Sequence, residues 1–152
     1  MKRLFVILFC LTLFVPVLTA QSNDIIDTIL AEERLTAGSA AYLVLSLADP
    51  DAIPDSREAA FAALAQKVDL APVSAGGADD QVSIGEFSYL LQQSLALPRG
   101  IGSRIQPGPR YALRDLKFLN IVQGRVYPAM ALSGERALRI AGQTLSRTEE
   151  RI

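Results

Sequence analysis

Four arginines and three glycines make residues 99–114, the arginine segment, the strongest candidate for anion binding in this chain. The arginines are Arg99, Arg104, Arg110 and Arg114, and the glycines are Gly100, Gly102 and Gly108. No acidic residue interrupts the segment. A guanidinium group presents a fork of N–H donors that fits carboxylate or phosphate oxygens, and glycine lets a ligand approach backbone N–H groups. The segment is therefore predicted to bind an anionic ligand. The alternative is a solvated loop whose arginines pair with Asp115.

The composition excludes several familiar kinds of catalytic and metal chemistry. The chain of 152 residues has no histidine, no tryptophan and one cysteine, Cys10. It therefore cannot build a Ser-His-Asp triad or a zinc site of cysteine and histidine ligands. No lysine stands three residues after a serine, which also excludes a Ser-x-x-Lys acylation centre. We expect a protein that is not an enzyme and that carries no cofactor.

Three closely spaced aspartates, Asp49, Asp51 and Asp55, resemble the first ligands of a calcium-binding loop. Such loops need a glycine at the sixth position and a bidentate glutamate at the twelfth. Pro54 and Ala60 occupy these two positions here. We therefore predict no metal site in this stretch.

Two glutamates, Glu86 and Glu135, could form a pair of acids acting on a glycosidic bond, since that reaction needs two carboxylates at a fixed separation. Glu86 also stands three residues after Ser83, which is the spacing of a capping box at a helix N-terminus. The structural role is the preferred interpretation. The side chains that could stack on a sugar ring, or simply lie at the edge of a core, are Tyr42, Tyr89, Tyr111 and Tyr127.

The first twenty residues have the pattern of a secretory signal peptide. Lys2 and Arg3 precede an apolar run over residues 4–15, and small Ala20 is followed by polar residues. The apolar run is shorter than the ~20 residues that a membrane-spanning helix needs, and no later stretch approaches that length without charge. We predict cleavage after Ala20 and an exported protein, periplasmic or at the cell surface, without a transmembrane segment in its mature chain.

The predicted mature chain, residues 21–152, has the composition of a single globular domain. Removing Lys2 and Arg3 from the 15 basic residues leaves 13 against 16 acidic ones, a net charge of −3. This balance argues against a nucleic-acid-binding surface. No cysteine remains after residue 20, so the fold must depend on its apolar core and not on disulfides.

One short pattern, an apolar residue followed by a hydroxyl residue and an amphipathic run, occurs three times. The hydroxyl residues are Thr36, Ser83 and Ser133, each predicted to be the N-cap of a helix. Ser83 with Glu86 completes a capping box. Positions four, seven and eight after each cap are apolar, which is the spacing of one buried helix face. They are Ala40, Leu43, Val44, Phe87, Leu90, Leu91, Ala137, Ile140 and Ala141.

Each of these capped helices follows another amphipathic stretch and a loop rich in turn residues. The pattern predicts three helix-loop-helix repeats, at about residues 24–48, 56–97 and 109–146, packed as one compact all-α domain. A glycine lies in the first turn of each capped helix, at Gly38, Gly85 and Gly134 in turn. We expect each of these turns to pack closely against another segment of backbone.

Three repeats of about fifty residues, each with a hydroxyl-capped second helix, resemble the S-layer homology module of exported cell-surface proteins. The best-matched stretches are LRDLKFLNIVQG with LSGERALRIAG, and FAALAQKVDLAP with VSIGEFSYLLQQSLAL. The resemblance implies non-covalent attachment to cell-wall polysaccharide.

The chain departs from that family at the positions associated with the ligand. The family's second helix opens with Thr-Arg-Ala-Glu, but Ala37, Ile84 and Gly134 stand where its arginine is expected. The tryptophan of the preceding helix is missing. We therefore expect a non-catalytic envelope module that associates with an anionic wall polymer or an envelope protein, with the arginine segment as its contact. The alternative is a structural subunit that packs on another envelope protein without recognising a glycan.

Overall fold

The computed structural model describes residues 17–149, and within this range the protein is helical. Its helices are α1 Val17–Ala31, α2 Ala37–Ala48, α3 Arg57–Lys67, α4 Ile84–Ser94, α5 Ile101–Ile105, α6 Pro109–Phe118 and α7 Gly134–Glu149. The described residues contain no β-strand, only two isolated antiparallel bridges, Thr36 with Gln81 and Ser83 with Ala131. This agrees with the predicted all-α class.

Most of the predicted signal peptide, with Cys10, lies outside the described residues. Helix α1 begins at Val17 and continues through Ala20, the predicted cleavage position, to Ala31. Cleavage after Ala20 would therefore shorten α1 at its N-terminus and leave its second half, which carries buried Ile29, in the mature protein.

The three helices with predicted caps form the centre of the core. Leu43 on α2, Leu90 on α4 and Ile140 on α7 are all buried, as the apolar spacing predicts. Helix α2 packs against both α4 and α7. Phe87, at the fourth position of its helix, is the largest fully buried side chain among the described residues.

The main helix pairs connect neighbouring predicted repeats and not the two helices of one repeat. Helix α2 packs on α3, α4 packs on α6, and α7 returns to pack on α1. Each pair joins the second helix of one repeat to the first helix of the next, so the contact between α7 and α1 closes a ring. The ring explains why one helix-loop-helix unit cannot bury its apolar faces alone.

The glycines in the first turns of α2, α4 and α7 lie where these helices approach another segment of backbone most closely. An added Cβ would lie 3.1 Å from Arg57 O at Gly38 and 2.8 Å from Pro128 O at Gly85, and at Gly134 it would overlap Ile29 O. Close packing of these turns is thus confirmed. The same glycines donate backbone hydrogen bonds: Gly38 N to Ala78 O at 2.7 Å, Gly85 N to Pro128 O at 3.0 Å and Gly134 N to Glu32 O at 2.9 Å.

Candidate functional site

The hydrogen bonds of the Glu86 carboxylate stabilise the N-terminus of α4. Its Oε2 accepts hydrogen bonds from Ser83 N and Ser83 Oγ, both at 2.7 Å. Its Oε1 accepts from Ser74 N at 2.7 Å and from Ser74 Oγ, so it also ties residue 74 of the preceding loop to the helix. Glu86 N donates to Ser83 Oγ at 3.3 Å, which completes the predicted capping box.

Hydrogen bonding keeps Glu86 ionised although only 7% of the residue is exposed. Burial by itself raises the pKa of Glu86, but the hydrogen bonds from Ser74 and Ser83 together outweigh it, and the pKa lies below its ordinary value. A glycosidase's general acid needs a raised pKa. These contacts support the structural role of Glu86 over the catalytic one.

Glu32 performs the same task for α2 from a different place in the sequence. It lies in the loop before the helix and accepts hydrogen bonds from Thr36 N at 2.9 Å and Ser39 Oγ at 2.6 Å. Arg57, at the start of α3, forms an ion pair with it at 2.9 Å. Thr36 Oγ1 accepts a bond from Ser39 N at 3.3 Å. Glu32 was not predicted from the sequence, because a carboxylate four residues before a cap matches no capping-box spacing.

No carboxylate within residues 17–149 accepts a hydrogen bond from the third cap residue, Ser133. Ser133 Oγ accepts a hydrogen bond from Arg136 N at 3.3 Å. Glu135 points to solvent and forms an exposed ion pair with Arg139, one turn along α7, at 2.6 Å. Glu86 and Glu135 therefore have unlike environments, one buried and saturated with donors, the other exposed.

A groove of about 610 Å³ lies beside the α4 cap. Arg34, Gln81, Ser83 and Tyr127 are among its lining residues. Arg34 donates a hydrogen bond to Gln81 Oε1 at 2.8 Å across the rim, which ties residue 34 to residue 81. The groove is open to solvent, and the carboxylate that lines it, Glu86, already accepts four internal hydrogen bonds.

The arginine segment is more ordered than the predicted loop, because it contains the short helix α5 and the first part of α6. Arg104 lies on α5, and Arg110 and Arg114 lie on α6, all three exposed. Arg99 is half-buried and donates to Gln93 Oε1 at 2.7 Å.

The Arg114 guanidinium lies 5.1 Å from the centre of the Tyr111 ring. Within residues 17–149 the ion pairs join Arg57 to Glu32 and Arg139 to Glu135, so none involves the arginine segment.

Asp115 attaches the arginine segment to the rest of the domain from its buried side. It is 7% exposed, and its carboxylate accepts hydrogen bonds from Gly100 N at 2.9 Å, Ser103 Oγ at 2.5 Å and Gln92 Nε2 at 3.0 Å. Burial raises the pKa of Asp115, but these bonds and nearby Arg114 outweigh it, so the pKa lies below its ordinary value. The expectation that Gly100 offers its N–H to an external anion is wrong, because Asp115 already uses that donor.

Three large apolar side chains project beside these arginines. Ile101 is 78% exposed, Ile105 80% and Phe118 87%, the highest values for large hydrophobic residues within the described range. Phe118 and Leu119 line a groove of about 420 Å³ together with Gly100 and other residues of the arginine segment. The exposure of these residues was not predicted from the sequence, since periodicity alone does not show which apolar side chains remain exposed.

The tyrosines differ in their access to a ligand. Tyr42 and Tyr89 are buried, and Tyr89 Oη donates to Asp69 O at 3.1 Å, so neither can stack on a sugar. Of the two alternatives for these residues, burial therefore favours the place in the core over the contact with a sugar. Tyr127 is exposed, and Tyr111 is half-buried against Arg114.

Among residues 17–149, no three carboxylates lie close enough together to hold a metal ion. In that same range no helix combines the length and the apolar character needed to cross a membrane. Comparisons with known protein families, curated proteins and solved structures found no match. The resemblance to S-layer homology modules therefore depends on the sequence motifs alone.

Proposed function

We propose that this protein is a non-catalytic, exported envelope module of three helix-loop-helix repeats that binds an anionic wall polymer through its arginine segment. The observation that carries the proposal is the state of Arg104, Arg110 and Arg114, which are exposed and make no ion pair with the described part of the chain. Their charge is therefore available to an external phosphate or carboxylate.

The buried partner of the segment adds to this argument. Asp115 is the only acidic residue near these arginines in sequence, and its carboxylate faces inward onto Gly100, Ser103 and Gln92. It fixes the backbone that carries the arginines without covering their outer side. A preorganised cationic surface loses less conformational entropy on binding than a mobile loop does.

The repeat architecture is supported by the equivalent placement of the three capped helices. Each begins at a hydroxyl cap, and each donates a first-turn N–H to a carbonyl of a neighbouring segment. These features are the ones in which the chain resembles S-layer homology modules, and they concern the scaffold and not the ligand site.

The test is co-sedimentation with purified wall sacculi that retain their anionic polymers. The double variant Arg104→Gln, Arg110→Gln should reduce the affinity roughly tenfold, and wild-type binding should weaken as ionic strength rises. The matched control is Arg125→Gln, Arg139→Gln, which removes the same charge from exposed positions outside the segment. Equal binding by both double variants would refute the role of the segment.

A second candidate function, a structural subunit that packs on another envelope protein, is favoured by a different observation. Ile101, Ile105 and Phe118 are exposed apolar side chains of the kind that protein interfaces bury. In that case purified protein would not sediment with sacculi stripped of protein, and the charge substitutions would leave complex formation in envelope extracts unchanged.

A further inference from the structure

The outer faces of α5 and α6 form one surface that combines projecting apolar side chains with cations. On α5, Ile101, Arg104 and Ile105 are separated by three and four residues, so they share one face of the helix. On α6, Lys117 and Phe118 follow Arg114 by three and four residues and share its face in the same way. All six side chains are exposed. We call these six residues the amphipathic surface.

Direct packing joins the two helices that carry this surface. Gly102 on α5 faces Tyr111 and Arg114 on α6, and a Cβ there would lie 2.7 Å from the Arg114 guanidinium. Gly100, next to Ile101 in the chain, lines the same groove as Phe118. The apolar groups of the two helices therefore belong to one surface and not to opposite sides of the domain.

The charge of this region has one sign. Residues 98–122 contain Arg99, Arg104, Arg110, Arg114 and Lys117, and their single acidic residue is Asp115. Asp115 lines the same groove as Phe118, but the residue is only 7% exposed and its Oδ2 accepts three internal hydrogen bonds, so the exposed charges of this region are those of the cations. The chain as a whole has a net charge of −1, which makes this a local cationic surface on a weakly acidic protein.

We propose that the amphipathic surface docks on an anionic lipid bilayer, with Ile101, Ile105 and Phe118 entering the boundary between headgroups and acyl chains. A bilayer of acidic lipids offers phosphate groups to the cations and hydrocarbon to the apolar side chains, which is the complement of this surface. A second copy of the chain is disfavoured, because a two-fold contact through this surface would place like charges against each other. A soluble polysaccharide would leave the isoleucines without an apolar partner.

This inference goes beyond the proposed function, since it adds lipid as a second anionic ligand. It shares arginines with polymer binding but requires apolar contacts that polymer binding does not. The apolar substitutions therefore separate the two proposals.

The experiment is co-sedimentation of the full protein with vesicles of phosphatidylcholine alone or mixed equally with phosphatidylglycerol. We expect binding to the mixed vesicles, weakened by salt, and little binding to phosphatidylcholine. Ile101→Ser with Phe118→Ser should reduce binding to the mixed vesicles at least roughly tenfold, since each side chain loses its apolar burial. The matched control, Ile53→Ser with Leu30→Ser, removes exposed apolar groups that do not line a groove with Phe118, and it should bind as wild type.

A charge variant tests the second component of the surface. Arg104→Gln with Lys117→Gln should weaken binding roughly 25-fold, from roughly fivefold for each cation near an acidic bilayer. All substituted side chains are exposed, and circular dichroism should show unchanged helix content in every variant.

Three results would overturn the inference: no binding to the acidic vesicles, wild-type binding by the Ile101→Ser, Phe118→Ser variant, or a dimer that this variant dissociates. A wild-type protein that sediments with sacculi but does not bind the acidic vesicles would overturn only the lipid proposal. Vesicle binding by a protein that never sediments with sacculi would refute only the proposed function.

Discussion

Gly134 is the position where a single methyl group should test the ring most directly. It is buried at the first residue of α7, where that helix meets the end of α1. A Cβ there would overlap the Ile29 carbonyl oxygen and lie 2.7 Å from the Ile29 carbonyl carbon, against at least 3.4 Å for ordinary contact. The Gly134→Ala variant must therefore move α1 and α7 apart by at least about 0.7 Å at the carbon, and further at the oxygen.

The expected decrease in the free energy of unfolding follows from the packing and the hydrogen bonds that this movement disturbs. Overpacking of a tight contact typically costs about 1–3 kcal/mol. The hydrogen bonds from Gly134 N to Glu32 O at 2.9 Å and from Leu35 N to Leu132 O at 2.6 Å lie beside this contact. Losing one buried backbone bond costs about 1–3 kcal/mol more. We expect Gly134→Ala to lower the free energy of unfolding by about 3 kcal/mol.

Gly142 provides the matched control, because it lies on the same helix and no atom would meet its Cβ within 4 Å. Gly142→Ala should raise the free energy of unfolding by about 0.5–1 kcal/mol, through helix propensity and a less flexible unfolded chain. Urea unfolding followed by circular dichroism at 222 nm measures both variants. If Gly134→Ala is as stable as wild type, the close contact between α1 and α7 does not exist and the ring is open.

The remaining predictions concern the two buried carboxylates. The pKa of Glu86 is lowered in the folded protein, so its ionised form stabilises the fold in full above its unfolded value of about 4.3, and that stabilisation is lost as pH falls through the folded value. Glu86→Gln should cost about 2–3 kcal/mol at pH 7 and flatten the fall in stability below about pH 5 in urea titrations. Exposed Glu135→Gln should change the free energy of unfolding at pH 7 by less than about 0.5 kcal/mol, and a Glu86→Gln pH profile as steep as that of wild type would contradict the assignment. Asp115→Asn should speed hydrogen exchange at the Gly100 amide, measured by mass spectrometry, whereas the exposed control Asp51→Asn should not; unchanged exchange at Gly100 would show that the carboxylate does not hold the segment.

Local patterns in the sequence were sufficient to predict the helical class and the starts of the central helices. A hydroxyl cap and a capping box act over three or four residues, so Thr36, Ser83 and Glu86 could be assigned without knowing the fold. The apolar spacing likewise predicts that Leu43 and Leu90 are buried, because a helix places residues three or four apart on one face.

The pairing of helices was decided only by the tertiary structure. The repeat pattern suggests that the two helices of one repeat pack together, but α2 packs on α3, α4 on α6 and α7 on α1. This choice depends on which apolar faces meet between neighbouring helices and, for α7 with α1, between the two ends of the described range, and no local pattern encodes it. The first-turn glycines indicate a close approach, but not which backbone approaches.

The candidate sites likewise combine features that the local sequence predicts with contacts that only folding brings about. The arginine segment is visible in the sequence as a run of like charges with glycines between them. Its attachment through Asp115, and the capping of α2 by Glu32, depend on contacts between residues that folding brings together. Exposure of Ile101 and Phe118 depends on where no other element covers them. The sequence by itself determined the charges, the caps and the apolar stripes, because these are local. Only the tertiary structure decided which donors each buried carboxylate binds and which apolar side chains remain in water, because these depend on long-range packing.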